Sequence, residues 1–229
     1  MKIAILGGGV AGISSAIALK LKGFDVSIYE RNETATSIGA GIVVWPNAAY
    51  VLEQLGMLNM VKAASGYPRK MHRLTSANEP LGSLDIELIN LHLGFPSLSI
   101  LRSEFQEILV SKLESLGVFI HYEHKAIDIE TNHSNQAEVY FETGLKITAD
   151  VLIGADGRMA SIARRYVSDG NQPVYQNFIN WIGVYESAED TFSEIAILDY
   201  WGVGERFGIV PINARKGYWA GGIACSALS

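Results

Sequence analysis

The sequence predicts an α/β protein: a Rossmann-like dinucleotide-binding domain with a second, mostly antiparallel β-sheet domain threaded into it. Three features predict this. Met1 to Glu30 runs in the order of a βαβ unit: apolar segment, glycine triplet, helical stretch, apolar segment. Asp150-Val-Leu-Ile-Gly154 is a further apolar run that feeds a loop and a helix. Short alternating segments lie between these two pieces and after them, divided by Gly, Pro and Asn in the manner of antiparallel strands.

The first run, ending at Leu6, suits a buried parallel strand. Gly7 allows a tight turn, Gly9 lets backbone approach a pyrophosphate, and Gly12 lets the following helix pack closely on the strand. Free N–H groups at that helix start face the phosphates. The alternative is a tight βα turn that holds no ligand. The second strand, Val26-Ser-Ile-Tyr, ends at Glu30, whose carboxylate can accept hydrogen bonds from both hydroxyls of an adenosine ribose. A 2′-phosphate would be repelled there, which favours FAD or NAD over NADP in this cleft. A secretory signal fits poorly, because glycines interrupt the apolar core and no small-x-small cleavage site follows.

Arg31 to Ser37 is a polar connection, and Pro46-Asn47 after Gly39-Ala-Gly41 marks a break and a fresh helix start. That helix carries Val51, Leu52, Leu55 and Leu58 and pauses at Gly56. Tyr67–Leu74 and Leu84–Leu88 then alternate in strand fashion around Asn-Glu-Pro and Leu-Gly-Ser turns. From Glu104 an amphipathic helix presents Phe105, Ile108, Leu109, Leu113 and Leu116 on one face, with Ser103 as its N-cap and Gly117 as its stop. Val118–Tyr122 reads as a strand, and Ala137–Phe141 with Leu145–Thr148 reads as a hairpin around Gly144. Asp150–Gly154 is expected to be buried and to lead through Asp156 to a helix ending near Arg165. Phe178–Tyr185, Ile195–Tyr200, Phe207–Ile212 and Gly217–Cys225 complete the antiparallel sheet.

With 229 residues, 48% of them hydrophobic, the chain can bury a real core. No apolar run approaches the roughly 20 residues of a spanning helix, so membrane insertion is not expected. A net charge of −6 offers no field for nucleic acid. The single Cys225 cannot form an internal disulfide, which fits a cytoplasmic location. His72, His92, His121, His124 and His133 show no ligand spacing, and no metal site is expected. Asp156 closes an apolar strand, so either a ligand hydroxyl or a structural cap must satisfy it. Gly157 supplies a backbone conformation that a side chain would disfavour. Arg164 and Arg165 are read as a solvated helix face.

Three segments together resemble the FAD-dependent flavoprotein monooxygenases of the aromatic-hydroxylase type, the group of para-hydroxybenzoate, salicylate and urate hydroxylases. They are Gly7-x-Gly9-x-x-Gly12 with Glu30-Arg31, Gly39-Ala-Gly41-Ile through Trp45-Pro46-Asn47-Ala48, and Asp150 to Gly157 with Ser161 and Arg164. The resemblance implies an FAD-binding domain over 1–70 and 98–168, and a partial substrate domain over 71–97 and 169–229. It implies FAD contacts at Arg31, Val43, Arg102, Ala126, Asp156 and Gly157 beside Gly7, Gly9, Gly12 and Glu30. Arg102 matches the family arginine that reaches the flavin's sugar and phosphate region, or else it pairs with a neighbouring acid. Arg206 and Tyr218 match positions from which some family members contact an anionic, planar substrate; alternatively Arg206 pairs with Glu205 or another surface acid, and Tyr218 packs with Trp219.

The implied reaction takes hydride from NADH or NADPH and oxygen from dioxygen, and hydroxylates a small aromatic or heteroaromatic compound through a flavin hydroperoxide. The cofactor performs the hard step, so no side chain is named as catalytic. A flavin reductase or dehydrogenase of the same fold is one alternative, and a truncated, non-catalytic nucleotide-binding protein is another. The family's later Gly-Asp segment has no counterpart before Ser229, so the resemblance implies a chain incomplete at its C-terminal end.

Overall fold

The apolar run at the start forms β1 (Lys2–Leu6), the glycine turn leads into α1 (Val10–Leu21), and the next run forms β2 (Asp25–Tyr29). The structure, a computed structural model, describes residues 1–35, 39–168 and 172–226. The end of the predicted polar connection, at 36–37, and the start of the late segment, near 170, lie outside the described residues. There follow β3 (Gly41–Val44), α2 (Pro46–Gln54), α3 (Leu58–Ala63), β4 (Lys70–Thr75), β5 (Pro80–Asp85), α4 (Ile86–Leu93) and β6 (Leu98–Leu101). Next come α5 (Arg102–Ser115), β7 (Ile120–His121), β8 (Ala126–Thr131), β9 (Ala137–Phe141), β10 (Lys146–Ala149), β11 (Val151–Gly154) and α6 (Ile162–Val167). The chain continues through β12 (Phe178–Glu186), β13 (Ala196–Gly202), β14 (Glu205–Pro211) and β15 (Lys216–Ala224). Backbone packing divides these elements into two units, Met1–Ser37 with Gln106–Val174 and Ile38–Phe105 with Tyr175–Ser229.

The first unit is built on a parallel sheet in the order β11-β1-β2-β7. β1 lies between two strands and is covered on both faces, which is why Ile3 to Leu6 are all buried. Ile13, Ala16 and Ile17 form the buried stripe of α1. A three-stranded antiparallel sheet, β10-β9-β8, supplies Ile129, Val139 and Phe141, which cluster with Leu6. Each such side chain contributes roughly 1.5–3 kcal/mol by leaving water. The mixed α/β class predicted from the sequence is the one observed.

The second unit carries a six-stranded sheet in the order β12-β15-β14-β13-β4-β5 and a two-stranded ribbon, β3-β6. All pairings in the large sheet are antiparallel except β13 with β4. Aromatic rings lie flat over its glycines: Trp219 covers the place where a Gly183 Cβ would stand, and Phe207 does the same at Gly221. Phe207 and Trp219 stack with centroids 5.7 Å apart. Lys216 bonds Glu104 at 2.5 Å, and that partner raises the ammonium's proton affinity.

Several local expectations are corrected. Residues Ile86–Leu93, read partly as strand, are helical, because the Asp85 carboxylate caps the Leu88 amide at 2.9 Å and Gly94 closes the last turn in the left-handed region at φ 72°. Helical geometry in α5 begins at Arg102, directly after β6, so Ser103 lies within the first turn instead of capping it. The expected strand over 118–122 shrinks to Ile120–His121, the two residues that find partners on β2. β11 is less buried than predicted, since it forms the edge of its sheet and leaves Val151 exposed.

Candidate cofactor site

The glycine turn of the first unit is shaped by backbone contacts. Gly7 sits at φ +106°, and a Cβ there would stand 2.2 Å from the carbonyl oxygen of Ala155. A Cβ on Gly12 would stand 1.9 Å from the Gly7 carbonyl oxygen, so α1 can close on the turn only with glycine there. Gly9 differs: nothing among the described residues lies within 4 Å of the place a Cβ would occupy. It forms the N-cap of α1 without a side-chain cap, and the first turn contains no acidic residue. The amides that a helix leaves without intrahelical partners, and its positive end, therefore lie at this turn, with no acidic side chain in the first turn of α1 itself.

Glu30 fastens this turn. Its Oε2 accepts from the Gly8 amide at 2.7 Å, while Oε1 accepts from the Asn32 amide at 3.0 Å and the Asn32 side chain at 2.7 Å. A carboxylate offers about four acceptor positions, so capacity remains. From α5, Gln106 donates Nε2 to the Gly8 carbonyl at 2.7 Å. Gln106 escaped the sequence reading; the signal was a lone amide within the buried face of an amphipathic helix, and it is only 5% exposed.

Asp156 follows β11, and its carboxylate is engaged in capping. Oδ1 accepts from the Ser161 hydroxyl at 2.6 Å, and Oδ2 accepts from the amides of Ile162 at 2.7 Å and Ala163 at 3.3 Å. Ser161 in turn accepts from the Arg164 amide at 2.9 Å. This is the structural-cap alternative left open by the sequence. Gly157 adopts φ +91°, and the Arg31 guanidinium lies 4.0 Å from where its Cβ would be, so the structure gathers Arg31, Asp156 and Gly157 beside the Gly7 turn. On the α6 side of this loop a cavity of about 570 Å³ is lined by residues of β8, β11 and α6, among them Ile129, Leu152, Asp156, Gly157 and Tyr166; Gly7, Gly9, Glu30 and Arg31 do not line it. Arg164 is half-buried instead of solvated: it donates to the Arg158 carbonyl, and its Nε is buried without a partner. Ala126 packs against the Leu6, Val139 and Phe141 cluster. Tyr29, at the end of β2, stacks on His121 at 4.9 Å, and burial raises its phenol pKa.

The remaining predicted residues belong to the second unit. Val43 is half-buried on β3 opposite Ser99. Arg102 is exposed, packs under Gly39, and has no carboxylate partner among the described residues. Arg206 does have one, but it is Asp199 and not Glu205: Nε reaches Oδ1 at 2.8 Å and Nη2 reaches Oδ2 at 3.2 Å. Tyr218 does not pack with Trp219, which points to the other face of β15. It is 8% exposed, clusters with Ala40, Leu101 and Ile212, and its ring fills the space beside Gly41. Burial alone drives its phenol pKa far above the ordinary range. The register sets Arg206 and Tyr218 on one face of the sheet.

Among the described residues no group of His, Cys, Asp or Glu is arranged to hold a metal, and no helix is long and apolar enough to cross a membrane.

A βαβ unit with an open glycine turn and a carboxylate closing the second strand defines a dinucleotide-binding architecture. The model of the family described as FAD binding domain matches residues 1–221, and the chain belongs to that family. It is 27% identical over 224 residues to the FAD-dependent urate hydroxylase of Klebsiella pneumoniae, covering 96% of this chain and 56% of that protein. It is 26% identical over 219 residues to the aurachin C monooxygenase/isomerase of Stigmatella aurantiaca, with the same coverage of 96% and 56%. The crystal structure of Klebsiella pneumoniae HpxO complexed with FAD and uric acid superposes with a TM-score of 0.86 at 25% identity, covering 100% of this chain and 58% of that one. The chain thus spans little more than half the length of these relatives.

Proposed function

We propose that this chain is the cofactor-holding and substrate-facing part of an FAD-dependent, cytoplasmic monooxygenase. Its reaction consumes NADH or NADPH and dioxygen and hydroxylates a small aromatic or heteroaromatic compound. The observation that carries the reading is the vacant space at Gly9, at a helix start free of acidic residues, in a chain of the FAD binding domain family. When bound, the flavin supplies hydride acceptance and oxygen chemistry.

The side chains named above take the remaining tasks. Gly7 and Gly12 shape the turn, and Gly9 leaves room for a diphosphate at the α1 amides. Glu30 keeps acceptor capacity for ribose hydroxyls while it holds Gly8 in place. Arg31 brings positive charge to the Gly157 loop, and Asp156 keeps that loop in place through its cap on α6. Ala126 contributes main-chain surface. Val43 and Arg102 are assigned to the cofactor by family resemblance; the absence of an acid partner for Arg102 among the described residues favours a phosphate-facing role. Arg206 and Tyr218 are assigned to the substrate.

The test is oxygen uptake by purified, FAD-loaded protein with NADH or NADPH, with and without urate or 2,6-dihydroxypyridine. The expected result is uptake that rises with an aromatic compound and yields a hydroxylated product. Nicotinamide oxidation without oxygen incorporation would instead indicate a reductase, and protein that retains no flavin after gel filtration would contradict the reading altogether.

A further inference from the structure

On the substrate sheet, Arg206 is one corner of a three-residue group that the register of the β13–β14 hairpin assembles. Trp201 pairs directly with Arg206, and Asp199 lies two residues earlier, on the same face. The Asp199 carboxylate grips the guanidinium edge through Nε at 2.8 Å and Nη2 at 3.2 Å. It also accepts the Trp201 indole N–H at 2.8 Å, which fixes the ring over which the guanidinium carbon sits, 5.1 Å from its centroid. The side chain of Asp199 is 4% exposed and that of Arg206 is 57% exposed.

This asymmetry is poorly explained by stability. An exposed arginine gains little from an ion pair, whereas burying a carboxylate is costly, and apolar residues would pack this position without that cost. What the arrangement does achieve is orientation. Two of the five guanidinium N–H donors are used by Asp199, the Trp201 ring lies beneath the guanidinium, and three donors remain on a side chain that is 57% exposed. We propose that Asp199 and Trp201 are positioning residues that hold Arg206 as a pre-oriented receptor for the oxyanion edge of a planar substrate. The proposal rests on the reading that Arg206 contacts the substrate.

Electrostatics and positioning predict opposite signs, which makes the test sharp. Removing the Asp199 charge leaves the Arg206 charge uncompensated, so a mere counter-charge role predicts tighter anion binding in Asp199→Asn. A positioning role predicts weaker binding. The FAD-loaded full chain would be titrated calorimetrically with urate and nicotinate as anionic probes and nicotinamide as the uncharged control. The expected result is that the wild type binds at least one anion, that Arg206→Gln and Asp199→Asn each weaken it about tenfold, and that nicotinamide binding is unchanged in both. Trp201→Phe, which removes the indole donor and part of the ring beneath the guanidinium, should weaken the anion about threefold and serves where Asp199→Asn fails to fold. If Arg206→Gln loses the anion while the Asp199 and Trp201 variants bind it as well as or better than wild type, the positioning role is overturned and the substrate role of Arg206 stands. If the wild type binds neither anion, or Arg206→Gln binds as the wild type does, the underlying reading falls and the proposal falls with it.

Discussion

Two glycines of the first unit and two of the second are hemmed in by different things. In the first unit Gly7 and Gly12 face backbone, with carbonyl oxygens 2.2 and 1.9 Å from the places where a Cβ would stand. In the second unit Gly41 and Gly183 face rings, Tyr218 at 2.1 Å and Trp219 at 2.6 Å. A carbonyl in a tight turn cannot withdraw without dismantling the turn. A ring can tilt, at a cost in packing. Gly7 and Gly12 thus belong to a fixed backbone turn that admits no side chain at either position, whereas at Gly41 and Gly183 the obstacle is a side chain that other sequences could accommodate.

The largest effect that would test this contrast is at Gly12. Gly12→Ala should destabilise the protein by roughly 3 kcal/mol or more, because no side chain is available to move aside. Urea unfolding measures it, and a loss below about 1 kcal/mol would break the distinction. Gly41→Ala should cost less, roughly 1–3 kcal/mol, and should couple to Tyr218. In a double-mutant cycle with Tyr218→Ala, much of the Gly41→Ala penalty should vanish, since the added methyl would then occupy the space left by the ring.

Smaller again is the loop after β11. Asp156→Ala removes three accepted hydrogen bonds and should lower stability by about 1–2 kcal/mol, a typical loss for a helix cap. Asp156→Asn should recover part of this through its remaining carbonyl oxygen.

The smallest effect at neutral pH sharpens the picture of Tyr218 as a core ring. Its folded-state pKa is raised by burial, so the phenol stays neutral in the folded state while the unfolded chain ionises near pH 10. Its stabilising contribution is therefore complete below about pH 10 and is lost as pH rises above that value. Thermal unfolding followed from pH 9 to 11.5 should show Tyr218→Phe with a shallower alkaline decline, by up to about 1.4 kcal/mol per pH unit. Equal slopes in the two proteins would contradict its burial.

The same contrast explains what could be read from the chain alone. Gly7, Gly9, Gly12 and Glu30 were legible because close backbone approach and a strand-end carboxylate impose fixed spacings. Helix α4 was missed because a strand-like alternation through Leu84 and Ile86 masked the capping carboxylate of Asp85. Gln106 was missed because its partner, the Gly8 carbonyl, is 98 residues away in sequence. The partner of Arg206 turned out to be Asp199 instead of its neighbour Glu205, because strand register, which alternation does not reveal, decides which side chains share a face. The role of Asp156 stayed open in the sequence because a cap and a ligand contact ask for the same residue at the same place.

Gly9 provides the most direct test of the central claim, that the turn before α1 receives the diphosphate of FAD. Its backbone, at φ −83° and ψ −177°, suits any residue, and a methyl group there would meet no atom of the described residues within 4 Å. Fluorescence titration of FAD into wild type and Gly9→Ala, with thermal unfolding of both in the absence of flavin, separates binding from folding. The expected result is flavin-free stabilities within about 1 kcal/mol of each other and FAD affinity lowered about tenfold or more in the variant. Equal affinity in the two proteins, or no binding by the wild type, would contradict it.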